Sequence, residues 1–280
     1  MHDEIADIGT YLARLGFDSP PLPTLETLRQ LQRRHTEVFA FETIATLLRE
    51  PVPVDLPSVE RKLLHDGRGG YCYELNRLFL GLLRQLGFQV RGITGRVVMG
   101  QTDDAMPART HLLVRVSIDG VDYITDVGFG GMVPTAPLRL DTTDAQPTPH
   151  EPYRLARSGG SYILHARVSG QWRALYRFDL HPQEEIDLVV GNWYVCTHPD
   201  SPFLGKLVAA RTGSGLRRTL SNGSYAIHHL GAPSERHELH DPDAVMALLR
   251  EEFGIRLPQR PDLRDAIAGV LERESRAELG

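Results

Sequence analysis

Arg68-Gly69-Gly70-Tyr71-Cys72-Tyr73-Glu74-Leu75-Asn76 is a glycine turn that runs into a helix with a cysteine at the junction. The helix shows in the apolar spacing beyond the cysteine. Leu75, Leu78, Phe79, Leu82, Leu83 and Leu86 recur at the spacing of one buried helical face, and Gly87 ends the run. The first turn of a helix leaves N–H groups without partners and carries the positive end of the helix dipole, and both favour a thiolate. A nucleophile belongs at such a place, but free cysteine is also a common buried hydrophobe. An ordinary thiol is only a few per cent ionised near neutrality, so a catalytic Cys72 needs a base from elsewhere in the chain.

Residues 110 to 118 supply one. Leu112, Val114, Val116 and Ile118 alternate with His111, Leu113, Arg115 and Ser117, which is the period of a strand. Asp119-Gly120 signals a two-residue turn, so Val121 to Val127 returns with Ile118 opposite Val121. On that register Asp126 lies opposite Leu113, on the same face as His111 and one diagonal step away, within reach of the imidazole. Gly128 falls opposite His111, which predicts open space over the ring for a substrate or another backbone. Cysteine, histidine and aspartate fit a nucleophile, a general base and a carboxylate that fixes the base's tautomer. A surface Asp–His contact without catalytic meaning is the competing reading.

The segments Arg68 to Asn76, Thr110-His111-Leu112 and Asp126-Val127-Gly128-Phe129-Gly130 closely resemble the arylamine N-acetyltransferase family. The likeness extends to Phe41-Glu42, Tyr153-Arg154-Leu155, His198-Pro199-Asp200-Ser201-Pro202-Phe203 and Phe253-Gly254-Ile255. It implies an enzyme with Cys72, His111 and Asp126 at the catalytic positions and acetyl-coenzyme A as co-substrate. Arylamines, arylhydrazines or N-hydroxyarylamines would be the acceptors, served by a ping-pong route through an S-acetyl cysteine. It also implies that Thr110, Phe129, Gly130 and Phe203 border the donor and acceptor cleft, and that the catalytic core is akin to those of transglutaminases and papain-like thiol proteases. Family members commonly have Asn-Leu after the Phe-Glu pair, and some carry an aromatic near Met99. This chain has Thr43-Ile44, and both departures are expected to tune the acceptor pocket. A thiol hydrolase or transglutaminase-like enzyme, and a binding protein without turnover, are the alternatives.

The rest of the chain bounds the reading. At 280 residues and 41% apolar content it can bury a large core. No apolar run is long enough for a membrane span, and Met1-His2-Asp3-Glu4 lacks the blocks of a signal peptide, so cytoplasmic residence is the default. Two cysteines are too few for a disulfide framework, and Cys196 in its aromatic stretch reads as core. A net charge of −5 with scattered basic residues argues against a nucleic-acid partner. His228-His229 and His237/His240 lack a second ligand cluster, so no metal is expected and these residues read as solvent-facing. Arg68 and Glu74 read as structural, bonding the loop or forming a surface pair. Self-association as a homodimer stays open.

The expected fold class is α+β. Residues 1–86 read as a helical bundle that ends in the Cys72 helix, with Thr24 capping its second helix. Residues 87–190 read as an antiparallel β-barrel or sheet carrying His111 and Asp126, with a surface loop over 141–152. Residues 191–280 read as an α/β lid of strands and two final helices, and Ile186, Val189, Val190 and Trp193 return to helical spacing just before it.

Overall fold

The computed structural model describes residues 4–102 and 105–278. Met1-His2-Asp3, which bear on the expected absence of a leader, lie outside the described residues. The N-terminal part is helical: α1 (Ile8–Arg14), α2 (Leu25–Val38), α3 (Ile44–Leu47), α4 (Leu56–Glu60) with a π-helical turn over Arg61–His65, and α5 (Cys72–Gln85). Thr24 Oγ1 accepts the Thr27 N–H and starts α2, as its place before the apolar run predicts. The Leu75-to-Leu86 stripe of α5 is buried, but so is nearly every other residue from Cys72 to Leu83. The periodic stripe alone understated this burial. Helices cover one side of α5, and β2 (Gln89–Val97) and β3 (Arg109–Ile118) pack on the other.

Those strands belong to a nearly closed antiparallel sheet ordered β5-β4-β3-β2-β8-β7-β6. Its other members are β4 (Val121–Thr125), β5 (Leu138–Arg139), β6 (Tyr153–Ser158), β7 (Ser161–Val168) and β8 (Gln171–Phe178). The Asp119-Gly120 turn sets the register as expected, with Ile118 opposite Val121 and Val114 opposite Thr125. Both faces of β3 are used: Leu112, Val114 and Val116 join the core around α5, and Leu113 joins a second core inside the sheet. A strand buried on both faces keeps its alternation of direction but loses the contrast of apolar and polar that makes it easy to read.

After the sheet, α6 (Glu185–Thr197) leads to a five-stranded sheet ordered β1-β9-β10-β11-β12. It is formed by β1 (Phe41–Glu42), β9 (Val208–Gly213), β10 (Leu216–Ser221), β11 (Ser224–His229) and β12 (Glu235–Glu238), and α7 (Pro242–Glu251) and α8 (Leu263–Glu278) share its core. Its edge strand β1 comes from the N-terminal part of the chain and pairs Phe41 with Ala210. A two-residue strand whose partner lies so far along the chain has no local sequence signal. Ile186, Val189, Val190 and Trp193 do lie on a helix, but on its outer side, Ile186 being 64% and Trp193 59% exposed. Leu188, Asn192, Val195 and Cys196 face inward instead. His237 and His240 are exposed, as expected, but His228 and His229 are half-buried and engaged: His228 bonds Thr219 and Ser234, and His229 bonds Glu235.

Candidate active site

The turn before α5 is tied down from three directions. Gly70 forms a bridge with β1, its N–H donating to the Ala40 carbonyl and its carbonyl accepting the Glu42 N–H. A Cβ at Gly69 would overlap the Ala40 carbonyl oxygen, so only glycine lets the two backbones approach this closely. The third tie is a buried charged group. Arg68 donates to Glu42 Oε1 at 2.8 Å, Lys62 Nζ donates to Glu74 Oε1 at 2.6 Å, and Glu74 Oε2 accepts the Tyr71 N–H at 3.1 Å. Burial pushes the Glu74 carboxyl up despite Lys62. Burial also opposes the charge on Glu42, but Lys62, Arg68 and the Ile44 N–H outweigh it and hold that carboxyl low. Arg68 and Glu74 are therefore structural, as expected, but within a buried network rather than a surface pair.

Cys72 is the first residue of α5 and is buried, and its thiol donates to the Thr110 carbonyl at 3.5 Å. The neighbouring residue His111 hydrogen-bonds the Cys72 side chain through its ring. Its Nε2–H donates to Asp126 Oδ2 at 2.7 Å, which leaves Nδ1 for the sulfur. Asp126 Oδ1 accepts two further N–H groups, from Asn76 Nδ2 and the Gly128 backbone, both at 2.9 Å. Burial disfavours charge on the ring and the carboxyl alike. On His111 the charge and hydrogen bond of Asp126, with the Cys72 contact, outweigh burial and raise its pKa. On Asp126 the His111 charge, Asn76 and Gly128 outweigh burial and lower it. The three side chains selected from sequence are thus brought together in one buried line.

Gly128 behaves differently from the expectation. The β3–β4 ladder ends at Val114 and Thr125, so Asp126 to Gly128 leave the strand and Gly128 is not paired opposite His111. A Cβ there would lie 2.7 Å from Cys72 Cα and 2.8 Å from Asn76 Nδ2. Its missing side chain lets the aspartate segment close on the nucleophile helix.

Of the four residues expected at the cleft, Thr110 accepts the Cys72 thiol through its carbonyl and Phe129 packs on His111, whereas Gly130 and Phe203 pack against Phe41. The Phe129 ring packs at 5.0 Å from the His111 ring and 4.9 Å from Tyr176, which itself lies 4.8 Å from His111. Gly130 adopts a positive φ of 63° with the Phe41 ring against it, and Phe203 packs on Phe41 and Tyr71 at 5.7 and 6.3 Å. Thr110, Phe129, Gly130 and Phe203 are all half-buried. Tyr176, Phe41 and Asn76 are site members that sequence reasoning missed. Tyr176 arrives from a distant strand without a motif, whereas Phe41 lies in the Phe41-Glu42 pair of the family likeness and Asn76 is one helical turn beyond Cys72 on the same face.

Thr43 and Ile44 have structural partners. Thr43 Oγ1 donates to the Lys206 carbonyl and accepts the Val208 N–H, pinning β9, and Ile44 lies fully buried in the core of the second sheet. Met99 is exposed beyond the end of β2. Cys196 is buried core, as expected, and burial pushes its thiol up.

A cysteine at a helix start, a buried imidazole and an aligned carboxylate are the parts of a thiol enzyme that passes an acyl group. A family model described as N-acetyltransferase matches residues 24–262. The arylamine N-acetyltransferase of Mycolicibacterium smegmatis is 40% identical over 272 residues, spanning 95% of this chain and 98% of that protein. A Salmonella typhimurium protein named both arylamine N-acetyltransferase and N-hydroxyarylamine O-acetyltransferase is 39% identical over 246 residues, 88% of this chain and 87% of its own. The structure of Mycobacterium marinum arylamine N-acetyltransferase in complex with CoA superposes with a TM-score of 0.88 at 40% identity, covering 95% and 99% of the two chains. The chain belongs to the arylamine N-acetyltransferase family and is an acyltransferase. Among its described residues no helix is long and apolar enough to cross a membrane.

Proposed function

We propose that this enzyme moves an acetyl group from acetyl-coenzyme A to an arylamine, arylhydrazine or N-hydroxyarylamine through an S-acetyl intermediate on Cys72. The observation that carries the reading is the buried contact line from Cys72 through His111 to Asp126 at the start of α5. His111 takes the thiol proton, and the Cys72 sulfur attacks the thioester carbonyl. The bond from that carbonyl to the coenzyme A sulfur then breaks, and the leaving sulfur takes the proton back from His111. In the second half-reaction the acceptor nitrogen attacks the S-acetyl carbon, His111 accepts the nitrogen's proton, and the Cys72 sulfur leaves and is reprotonated. Asp126 keeps Nε2 protonated so that Nδ1 faces the sulfur, and it stabilises the imidazolium formed in each half. The first-turn N–H groups of α5 would meet the negative charge on the carbonyl oxygen.

Thr110 and Phe129, which contact Cys72 and His111, and Gly130 and Phe203, which pack on Phe41 nearby, are assigned to the co-substrate. The division of labour proposed for the chain is a nucleophile segment over 1–86, a base segment over 87–190 and a covering segment over 191–280. The relative solved with CoA supports the donor, and the relatives' names support arylamine and N-hydroxyarylamine acceptors. Intact mass after incubation with acetyl-coenzyme A is expected to show one acetyl group, located on the Cys72 peptide. An unmodified Cys72 would overturn the mechanism. A thiol hydrolase would release coenzyme A steadily without amine, whereas the transferase is expected to stop after one equivalent until arylamine is added.

A further inference from the structure

We propose that Asn76 is a positioning residue that sets the spacing of nucleophile, base and carboxylate. The inference rests on the acetyl-transfer reading above. The sheet cannot hold Asp126 in place, because the β3–β4 ladder stops at Thr125. Asn76 takes over. It sits one turn beyond Cys72 on α5, fully buried, and its planar amide reaches both arms of the hairpin. Asn76 Nδ2 donates one hydrogen to the Leu112 carbonyl at 2.7 Å and the other to Asp126 Oδ1 at 2.9 Å, and Asn76 Oδ1 accepts the Val127 N–H at 3.0 Å. Leu112 is next to the base in sequence and Val127 is next to the carboxylate. One rigid side chain on the nucleophile helix therefore fixes the helix against both catalytic strands and orients the Asp126 carboxylate.

A second buried amide provides the contrast. Gln32 on α2 donates to the Asp126 and Pro134 carbonyls at 3.3 and 2.7 Å and accepts the Thr125 hydroxyl at 2.7 Å. It supports the same segment but touches no triad side chain. Asn76 and Gln32 thus separate orientation of the carboxylate from support of the backbone.

The test compares Asn76→Ala, Asn76→Asp and Gln32→Ala with the parent enzyme, using p-nitrophenyl acetate as acetyl donor. Burst amplitude counts competent sites, and the burst rate constant reports geometry at each site. Asn76→Asp is nearly isosteric and keeps the acceptor for Val127, so it serves where Asn76→Ala folds poorly. Both Asn76 variants are expected to keep a burst but to lose about 100-fold in the per-site rate, with KM for the arylamine little changed, because a misplacement of about 1 Å has effects of that size. Gln32→Ala should lower the melting temperature while keeping the per-site rate. Parent-like rates in the Asn76 variants, an equal rate loss in Gln32→Ala, or lost amplitude in place of lost rate would each overturn the inference. A parent enzyme without a burst on Cys72 would overturn the acetyl-transfer reading itself.

Discussion

Replacing Asp126 by asparagine changes one atom pair and should nearly abolish turnover in a folded protein. Two orientations of the new amide are available. With its oxygen toward Asn76 Nδ2 and the Gly128 N–H, both 2.9 Å bonds survive and the amide NH2 faces His111 Nε2. Nε2 must then accept, so the imidazole proton moves to Nδ1, the nitrogen that has to receive the Cys72 proton. The flipped orientation aims an NH2 at two donors and leaves buried N–H groups unpaired, at a cost of about 1–3 kcal/mol each. A tautomer change costs less, so the first orientation wins and the base is blocked. Wrong-tautomer substitutions of this kind lower kcat by about 10⁴ in serine enzymes. The expected result for Asp126→Asn is a single-turnover acetylation rate reduced about 10⁴-fold, with cooperative unfolding retained. The assay is rapid-quench acetylation of Cys72 by acetyl-coenzyme A, alongside thermal melting of the same sample. A folded variant acetylated within tenfold of the parent rate would refute the assignment of Asp126 and the tautomer argument with it.

Gly128→Ala should reduce per-site acetylation about 100-fold, since the new Cβ would press on Cys72 Cα at 2.7 Å and neither backbone can yield without separating α5 from the hairpin; stopped-flow burst kinetics measure it. His35 is fully buried among Tyr11, Phe39 and Phe79, without a hydrogen-bond partner, and burial reinforced by Arg14 pushes its pKa down to about 3. The unfolded chain binds that proton more readily, so stability is intact above the unfolded value near 6.5 and falls as pH drops below it. The loss is about 2 kcal/mol at pH 5. Between pH 7.5 and 5.0, urea titrations should show stability changing about 2 kcal/mol less favourably in the parent than in His35→Leu. Cys196→Ser should leave the acetyl adduct at one per chain by intact mass, because Cys196 is buried core away from the His111–Asp126 pair.

Local chemistry made much of this protein legible in its residues. The glycine turn, the apolar stripe after Cys72 and the Asp119-Gly120 turn depend on neighbours a few positions apart, so the nucleophile helix and the hairpin register are set by short-range geometry. Cysteine, histidine and aspartate could be selected because few residue types perform that chemistry. Their meeting was another matter. The diagonal placement of Asp126 pointed to His111, but the ladder ends before it, and the carboxylate is oriented by Asn76 and the Gly128 N–H.

Only the tertiary structure decided what distant segments contribute. Tyr176 enters the site from a strand with no motif, and β1, which brings Phe41, crosses from the helical part into the final sheet. Periodicity shows that a helix has an apolar face but not what that face meets, which is why the Ile186-to-Trp193 stripe of α6 lies outward while Leu188, Asn192, Val195 and Cys196, also at helical spacing, are buried. Gly128 shows the same limit at a single residue. Its sequence position announces that a side chain is missing, and only the packing of α5 against the hairpin shows that a backbone fills the gap.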